Sequence, residues 1–191
     1  MNRDKYPDWF SATEAKSNFE KYLDHYNSLP NRKFLQLGAY LGDASVWLME
    51  NILVDTSSVL YDVDTWEGSD EPAHDVMDFN QVYKYYLKRT KKYPNLKHFK
   101  TTTYEYLRFD NNTYDFVYVD ADHTAVSVLL DAVLAWDLLK PGGIMAFDDY
   151  EWRSGKGGEF DPAPGINTFL TRYQGKFKVI HKGWQIWIVK E

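Results

Sequence analysis

Phe34-Leu35-Gln36-Leu37-Gly38-Ala39-Tyr40-Leu41-Gly42-Asp43-Ala44-Ser45 is the stretch whose reading decides the fold. Phe34 to Leu37 form a short apolar run closed by glycine, and Ala44 to Leu53 beyond Gly42 have helical character. A strand, a glycine turn and a helix are therefore expected in succession. Glycine lets the backbone approach a ligand closely, and the helix that follows offers free N–H groups. A dinucleotide fingerprint would space its glycines as G-x-G-x-x-G; Tyr40 and Ser45 interrupt that pattern, so the turn is not built for a pyrophosphate.

Upstream, Ser11 and Glu14 stand at capping-box spacing, and Ala15, Phe19, Tyr22, Leu23 and Tyr26 recur at helical intervals up to Pro30. Residues 1–30 are read as an N-terminal helical segment. Downstream, Val59 to Val63 make a strand, and Val76, Phe79, Val82, Tyr83, Tyr86 and Leu87 mark a helix that must end before Pro94. Strands follow at His98 to Thr101 and Phe116 to Asp120, then a helix over Val126 to Leu139 and a buried strand over Ile144 to Phe147. Pro141-Gly142-Gly143 punctuates that last step. After a loop from Glu151 to Gly165, a helix through Phe169 and Leu170 leads to Phe177–Ile180 and Trp184–Val189. Their close spacing across His181-Lys182-Gly183 demands a hairpin. Strands alternating with helices predict an α/β fold, a mostly parallel seven-stranded sheet with helices on both faces and a C-terminal antiparallel hairpin at or near the edge.

At 191 residues, 44% of them hydrophobic and 26% charged, the chain suits one domain over 1–191, with its core from 34 to 191. The absence of cysteine excludes a disulfide scaffold, a thiolate metal site and a cysteine nucleophile, and fits a reducing, cytoplasmic setting. The charged opening stretch from Met1 to Phe10 is wrong for a signal peptide, and no apolar run approaches membrane-spanning length. With a net charge of −6, and Lys88 to Lys92 read as the solvated end of a helix, neither nucleic acid nor membrane is an expected partner. A homo-oligomer is compatible with all of this.

In open sheets of this kind ligands bind at the carboxyl ends of the strands. Besides the glycine turn, four features stand there. Asp64 ends the second strand ahead of Thr65-Trp66-Glu67-Gly68 and can accept both hydroxyls of a ribose; Asp62 is its rival on the opposite face, and Trp66 either flanks a cofactor or packs. Asp120-Ala121-Asp122-His123 and Asp148-Asp149-Tyr150 end two neighbouring strands. Two like charges about 4 Å apart cost roughly 4 kcal/mol even at an effective dielectric of about 20, so a convergent cluster needs a cation or a proton. Hard oxygen ligands suit magnesium, manganese or calcium. Alternatively, Asp122 starts the Val126 helix and Asp149 holds the following loop. Thr101-Thr102-Thr103 contacts a nucleobase or caps the turn at Tyr104-Glu105.

The glycine turn, Asp64-Thr65-Trp66-Glu67-Gly68, Tyr114 to His123, Leu138 to Ile144 and Phe147-Asp148-Asp149-Tyr150 together resemble the class I S-adenosylmethionine-dependent methyltransferases, from about Phe34 to Lys190. The branch is similar to the metal-dependent sugar (macrocin-type) O-methyltransferases. The resemblance implies a Rossmann-like fold in which Gly38 and Gly42 cradle the methionine part of S-adenosylmethionine, Asp64 holds the ribose and residues around Thr102 border the adenine. Gln36, Tyr40, Ser45, Trp66 and Asp120 complete the implied cofactor site. It further implies a magnesium ion or other divalent cation on Asp120, Asp148 and Asp149, with Asp122 or His123 as general base. Gln36 and Thr102 depart from the family, which usually has acidic residues there.

The expected activity is methyl transfer to a small-molecule hydroxyl, sugar-like or catechol-like, assisted by the metal. Tyr40, Trp66, Tyr150 and Trp152 are candidates for the acceptor pocket or for the core, and the Glu151–Gly165 loop is a candidate lid. An NAD-type oxidoreductase and a non-catalytic S-adenosylmethionine-binding protein are the alternative readings.

Overall fold

The computed structural model describes residues 3, 6–69 and 73–191. Asp4 and Lys5 of the charged opening stretch lie outside the described residues. Seven strands form one sheet in the order β3-β2-β1-β4-β5-β7-β6. They are β1 (Lys33–Leu37), β2 (Val59–Asp64), β3 (Leu96–Lys100), β4 (Tyr114–Val119), β5 (Leu139–Phe147), β6 (Phe177–Lys182) and β7 (Ile186–Lys190). The first five pair in parallel, and β7 runs antiparallel between β5 and β6. The expected sheet and its terminal hairpin are thus present, with β7 one strand in from the edge.

The helices are α1 (Trp9–Ala12), α2 (Ala15–Leu23), α3 (Asp43–Asn51), α4 (Phe79–Thr90), α5 (Thr103–Leu107), α6 (Ala125–Leu138) and α7 (Pro162–Arg172). Side chains alternate across a strand, so each central strand feeds two cores. Phe34, Phe116 and Tyr118 pack with Phe19, Leu23, Leu48 and Trp187 on the α2–α3 face. Leu35, Leu37, Val117 and Val119 pack with Val128, Trp136, Ile166 and Phe169 on the α6–α7 face. All six residues of β4 are buried, which is why its sequence is a near-continuous apolar run. β1 lies between β2 and β4, so the winding reverses there and opens a crevice at the carboxyl ends. No described helix is long and apolar enough to cross a membrane.

Three local expectations are corrected, and one short helix is added. Ser11 and Glu14 do not form a capping box: Asp8 caps α1 through the Ser11 N–H (3.0 Å), while the Glu14 carboxylate accepts from the Gln185 N–H at 2.7 Å and lies 2.9 Å from His181 Nε2. The hairpin has claimed the side chain, and the N-terminal segment breaks into two helices. Val76 precedes its helix and is 88% exposed, because Asp78 caps α4 through the N–H groups of Asn80 and Gln81. The five-residue α5 is too short to display a periodicity; Thr102 caps it through the Glu105 N–H at 3.1 Å. Finally, Pro141-Gly142-Gly143 lies inside β5, where the register against β4 shifts between Tyr114 and Phe116.

Candidate active site

A cavity of about 640 Å³ opens where the carboxyl ends of β1, β2, β4 and β5 meet, a size ordinary for a small-molecule site. At its β1–β2 side, Gly38 and Gly42 hold φ of +88° and +75°. A Cβ on Gly38 would sit 1.8 Å from the Asp120 carbonyl oxygen, so only glycine lets β1 turn this close to β4. Asp64 closes the turn: its Oδ2 accepts from the N–H groups of Ala39 (2.7 Å) and Tyr40 (2.8 Å), and its Oδ1 from that of Trp66 (2.6 Å). Each carboxylate oxygen has two acceptor sites, so capacity remains for a ligand hydroxyl.

Gln36 explains its own departure from an acidic residue. Its amide donates to the Gly38 carbonyl at 2.9 Å, a bond no carboxylate could make. Trp66 is 2% exposed and donates to the Tyr40 carbonyl at 2.9 Å, so it braces the turn as well as lining the cavity. Tyr40 also lines the cavity; Gly42 and Ser45 do not. Gly42 instead packs against the Tyr86 ring, 2.9 Å from where a Cβ would stand, and Ser45 is fully buried with its hydroxyl toward Gln36. Asp62, the rival of Asp64, points into the core and accepts from the Tyr86 hydroxyl at 2.7 Å; burial pushes its carboxyl up to about 7.

At the β4–β5 side the carboxylates do converge. One oxygen each of Asp120 and Asp149 and one ring nitrogen of His123 lie within 4.8 Å of one another. His123 Nε2 is 3.1 Å from Asp149 Oδ2 and 3.8 Å from Asp120 Oδ1. Removal from bulk water and then the neighbouring Asp148 charge hold the Asp120 carboxyl well above the usual carboxylate range. Two carboxylates and an imidazole fit a divalent cation, and the nitrogen favours manganese or another transition ion over calcium.

The structure brings His123 into this group in place of Asp148. The Asp148 carboxylate is engaged by the Tyr118 hydroxyl and by the Asp149 N–H (2.8 Å), whereas Asp149, at φ +56°, turns toward His123 and accepts from Trp184 Nε1 at 3.0 Å. Asp122 is exposed at the cavity wall and accepts from the Thr124 N–H at 2.7 Å, so it shapes the entry to α6 while still facing the site.

Thr102 lines the cavity and caps α5 at once, so both of its anticipated uses remain compatible. Of the anticipated aromatics, Trp152 lines the cavity, 5.1 Å from the His123 ring between centroids. Sequence reading missed Trp9, Phe10 and Thr13, which reach the cavity from the N-terminal segment, and Trp184 from the hairpin. It also missed Asp131, 2% exposed on α6, whose carboxyl burial raises to about 7 beside the Thr103 side chain. The only signal for Asp131 was an acid set among apolar residues in the middle of its helix.

No curated protein sequence is significantly similar to this chain. Among solved structures, the N-methyltransferase NodS from Bradyrhizobium japonicum superposes with a TM-score of 0.64 at 14% identity, over 96% of this chain and 98% of that one. The O-methyltransferase from Bacillus cereus, in complex with SAH, gives 0.63 at 14% identity over 97% and 92%. An rRNA methylase from Streptococcus thermophilus gives 0.62 at 11% identity over 89% and 92%. These likenesses establish the fold. Residues 35–150 match the family described as a methyltransferase domain, a span that runs from β1 past the Asp148-Asp149 pair and takes in more than half of the chain. The chain therefore belongs to that family, the class I S-adenosylmethionine-dependent methyltransferases.

Proposed function

We propose that this methyltransferase acts on a hydroxyl of a small-molecule acceptor, sugar-like or catechol-like, with a divalent cation held by Asp120, His123 and Asp149. The observation that carries the reading is the crowding of those three side chains within 4.8 Å at one side of a cavity whose other side is the Gly38 turn. S-adenosylmethionine supplies an electrophilic methyl group, and the cation lowers the pKa of the acceptor hydroxyl. The chain supplies position, which governs an in-line displacement. Gly38, Tyr40 and Asp64 hold the methionine and ribose parts, and Thr102 borders the adenine. With His123 in the cation set, Asp122 is the base that takes the acceptor proton. The Bacillus cereus O-methyltransferase on the same fold supports hydroxyl chemistry.

Calorimetry with adenosylhomocysteine, followed by methyl-transfer assays on sugars, catechols and amines with and without EDTA, tests this. Cofactor-product binding should survive EDTA while transfer to hydroxyls is lost. Metal-independent turnover, or transfer to amines alone, would overturn the reading.

A further inference from the structure

Charge is segregated along this chain. The 26 residues from Phe79 to Tyr104 hold seven of the 22 lysines and arginines and none of the 28 acids, leaving 15 cations against 28 acids elsewhere. That segment is α4, the turn after it and the edge strand β3. Lysines on an edge strand guard against edge-to-edge pairing, which accounts for Lys97 and Lys100. It does not account for Lys84, Lys88 and Lys91, which follow one face of α4 at i, i+4 and i+7.

These three border a groove of about 600 Å³ between α4 and β3, with Leu87, Tyr93 and Pro94 among its walls. Arg89 and Lys92 are spoken for by Asp43 and Glu50, but Lys84, Lys88 and Lys91 are exposed and form no ion pair with a described residue. Tyr93 is held in place by its hydroxyl, which donates to Glu50 at 2.6 Å. His98 also borders the groove, and burial lowers its pKa, so lysines supply the charge.

We propose that this groove binds single-stranded nucleic acid, with Lys84, Lys88 and Lys91 on successive phosphates and a base against Tyr93. Along the helix axis Lys84 and Lys88 stand about 6 Å apart and Lys88 and Lys91 about 4.5 Å, within reach of successive phosphates for long, flexible side chains. Tyr93, whose ring carries the Lys92 ammonium 4.8 Å from its centroid, and Pro94 edge the stripe, so a base reaching them would meet an aromatic edge and an apolar ring. A flat anionic membrane would meet the ammonium groups but leave the groove between them and β3 unfilled.

The test is fluorescence anisotropy of labelled oligouridylate against the full chain. Three phosphate contacts predict a log–log salt slope near −2, about a 20-fold loss of affinity between about 50 and 200 mM salt. The Lys84→Glu/Lys88→Glu/Lys91→Glu variant, checked for an unchanged circular dichroism spectrum, should lose at least about tenfold in affinity and most of that slope. Tyr93→Leu should weaken binding about tenfold with the slope intact. A control reversing Lys16, Lys21 and Lys178 to Glu should leave binding in place. No binding by the parent chain, equal loss in the control, or capture by phosphatidylserine vesicles without oligouridylate binding would overturn the proposal.

Discussion

At the β2 end of the cavity, Asp64 spreads its charge over three backbone N–H groups within 2.8 Å. At the β4–β5 end, Asp120 has Asp148 and Asp149 for neighbours, and its carboxyl is driven upward by burial and by their charge. The charge of one acid is met by the fold's own backbone donors. The other belongs to a group whose charge the fold leaves for something else to balance. The contrast separates a preorganised binding end from an end that asks for a cation or a proton.

The most damaging change should be Gly38→Ala, which joins the two ends by collision. A Cβ 1.8 Å from the Asp120 carbonyl, at a φ of +88°, should lower unfolding free energy by about 3 kcal/mol or more and abolish adenosylhomocysteine binding; urea denaturation and calorimetry check both. Metal titration sharpens the contrast next. Manganese at about 100-fold over its Kd should raise stability by about 2.7 kcal/mol, EDTA should reverse this, and Asp149→Asn should show no response in thermal melts.

Asp120→Asn should cut hydroxyl methylation on the order of 10²-fold in steady-state assays and leave adenosylhomocysteine affinity intact. Without metal the same variant should gain stability at alkaline pH. The folded carboxyl titrates above its unfolded value, so its contribution is present in acid and lost as pH rises through the folded pKa.

The effect with least bearing on the cavity concerns Asp62, the buried acid facing away from it. Its carboxyl is pushed up to about 7, so stability should fall between pH about 4 and 7 as proton release is opposed. Asp62→Asn keeps an acceptor for Tyr86 and should flatten that fall, gaining stability at pH 8 and nothing at pH 3, measured by chemical denaturation across pH.

Much of the binding end was legible before folding. A glycine whose neighbour strand ends in aspartate is a local pattern, because the turn and the acid are adjacent in register: Leu37 pairs with Val63, one residue before each. The Asp120 and Asp148 neighbourhoods were visible for the same reason, since Val119 pairs with Phe147. Which of the neighbouring groups converge was not visible. Asp148 is diverted by Tyr118, and Asp149 swings toward His123 only in a left-handed conformation that Trp184 supports from the turn of the C-terminal hairpin.

The N-terminal wall was equally hidden. Glu14 was readable as a helix cap, yet the hairpin 171 residues later takes its carboxylate, and with it the placement of the segment that carries Trp9 and Phe10 to the cavity. Sequence alone determined the strand order's raw material: apolar runs long enough to be buried on both faces, glycines where the backbone must turn, and acids at the strand ends. Periodicity and turn chemistry act between near neighbours, so they can be read along the chain. Only the tertiary structure decided which side chains share the cavity, because hydrogen bonds between distant segments select among rotamers that local sequence leaves equal.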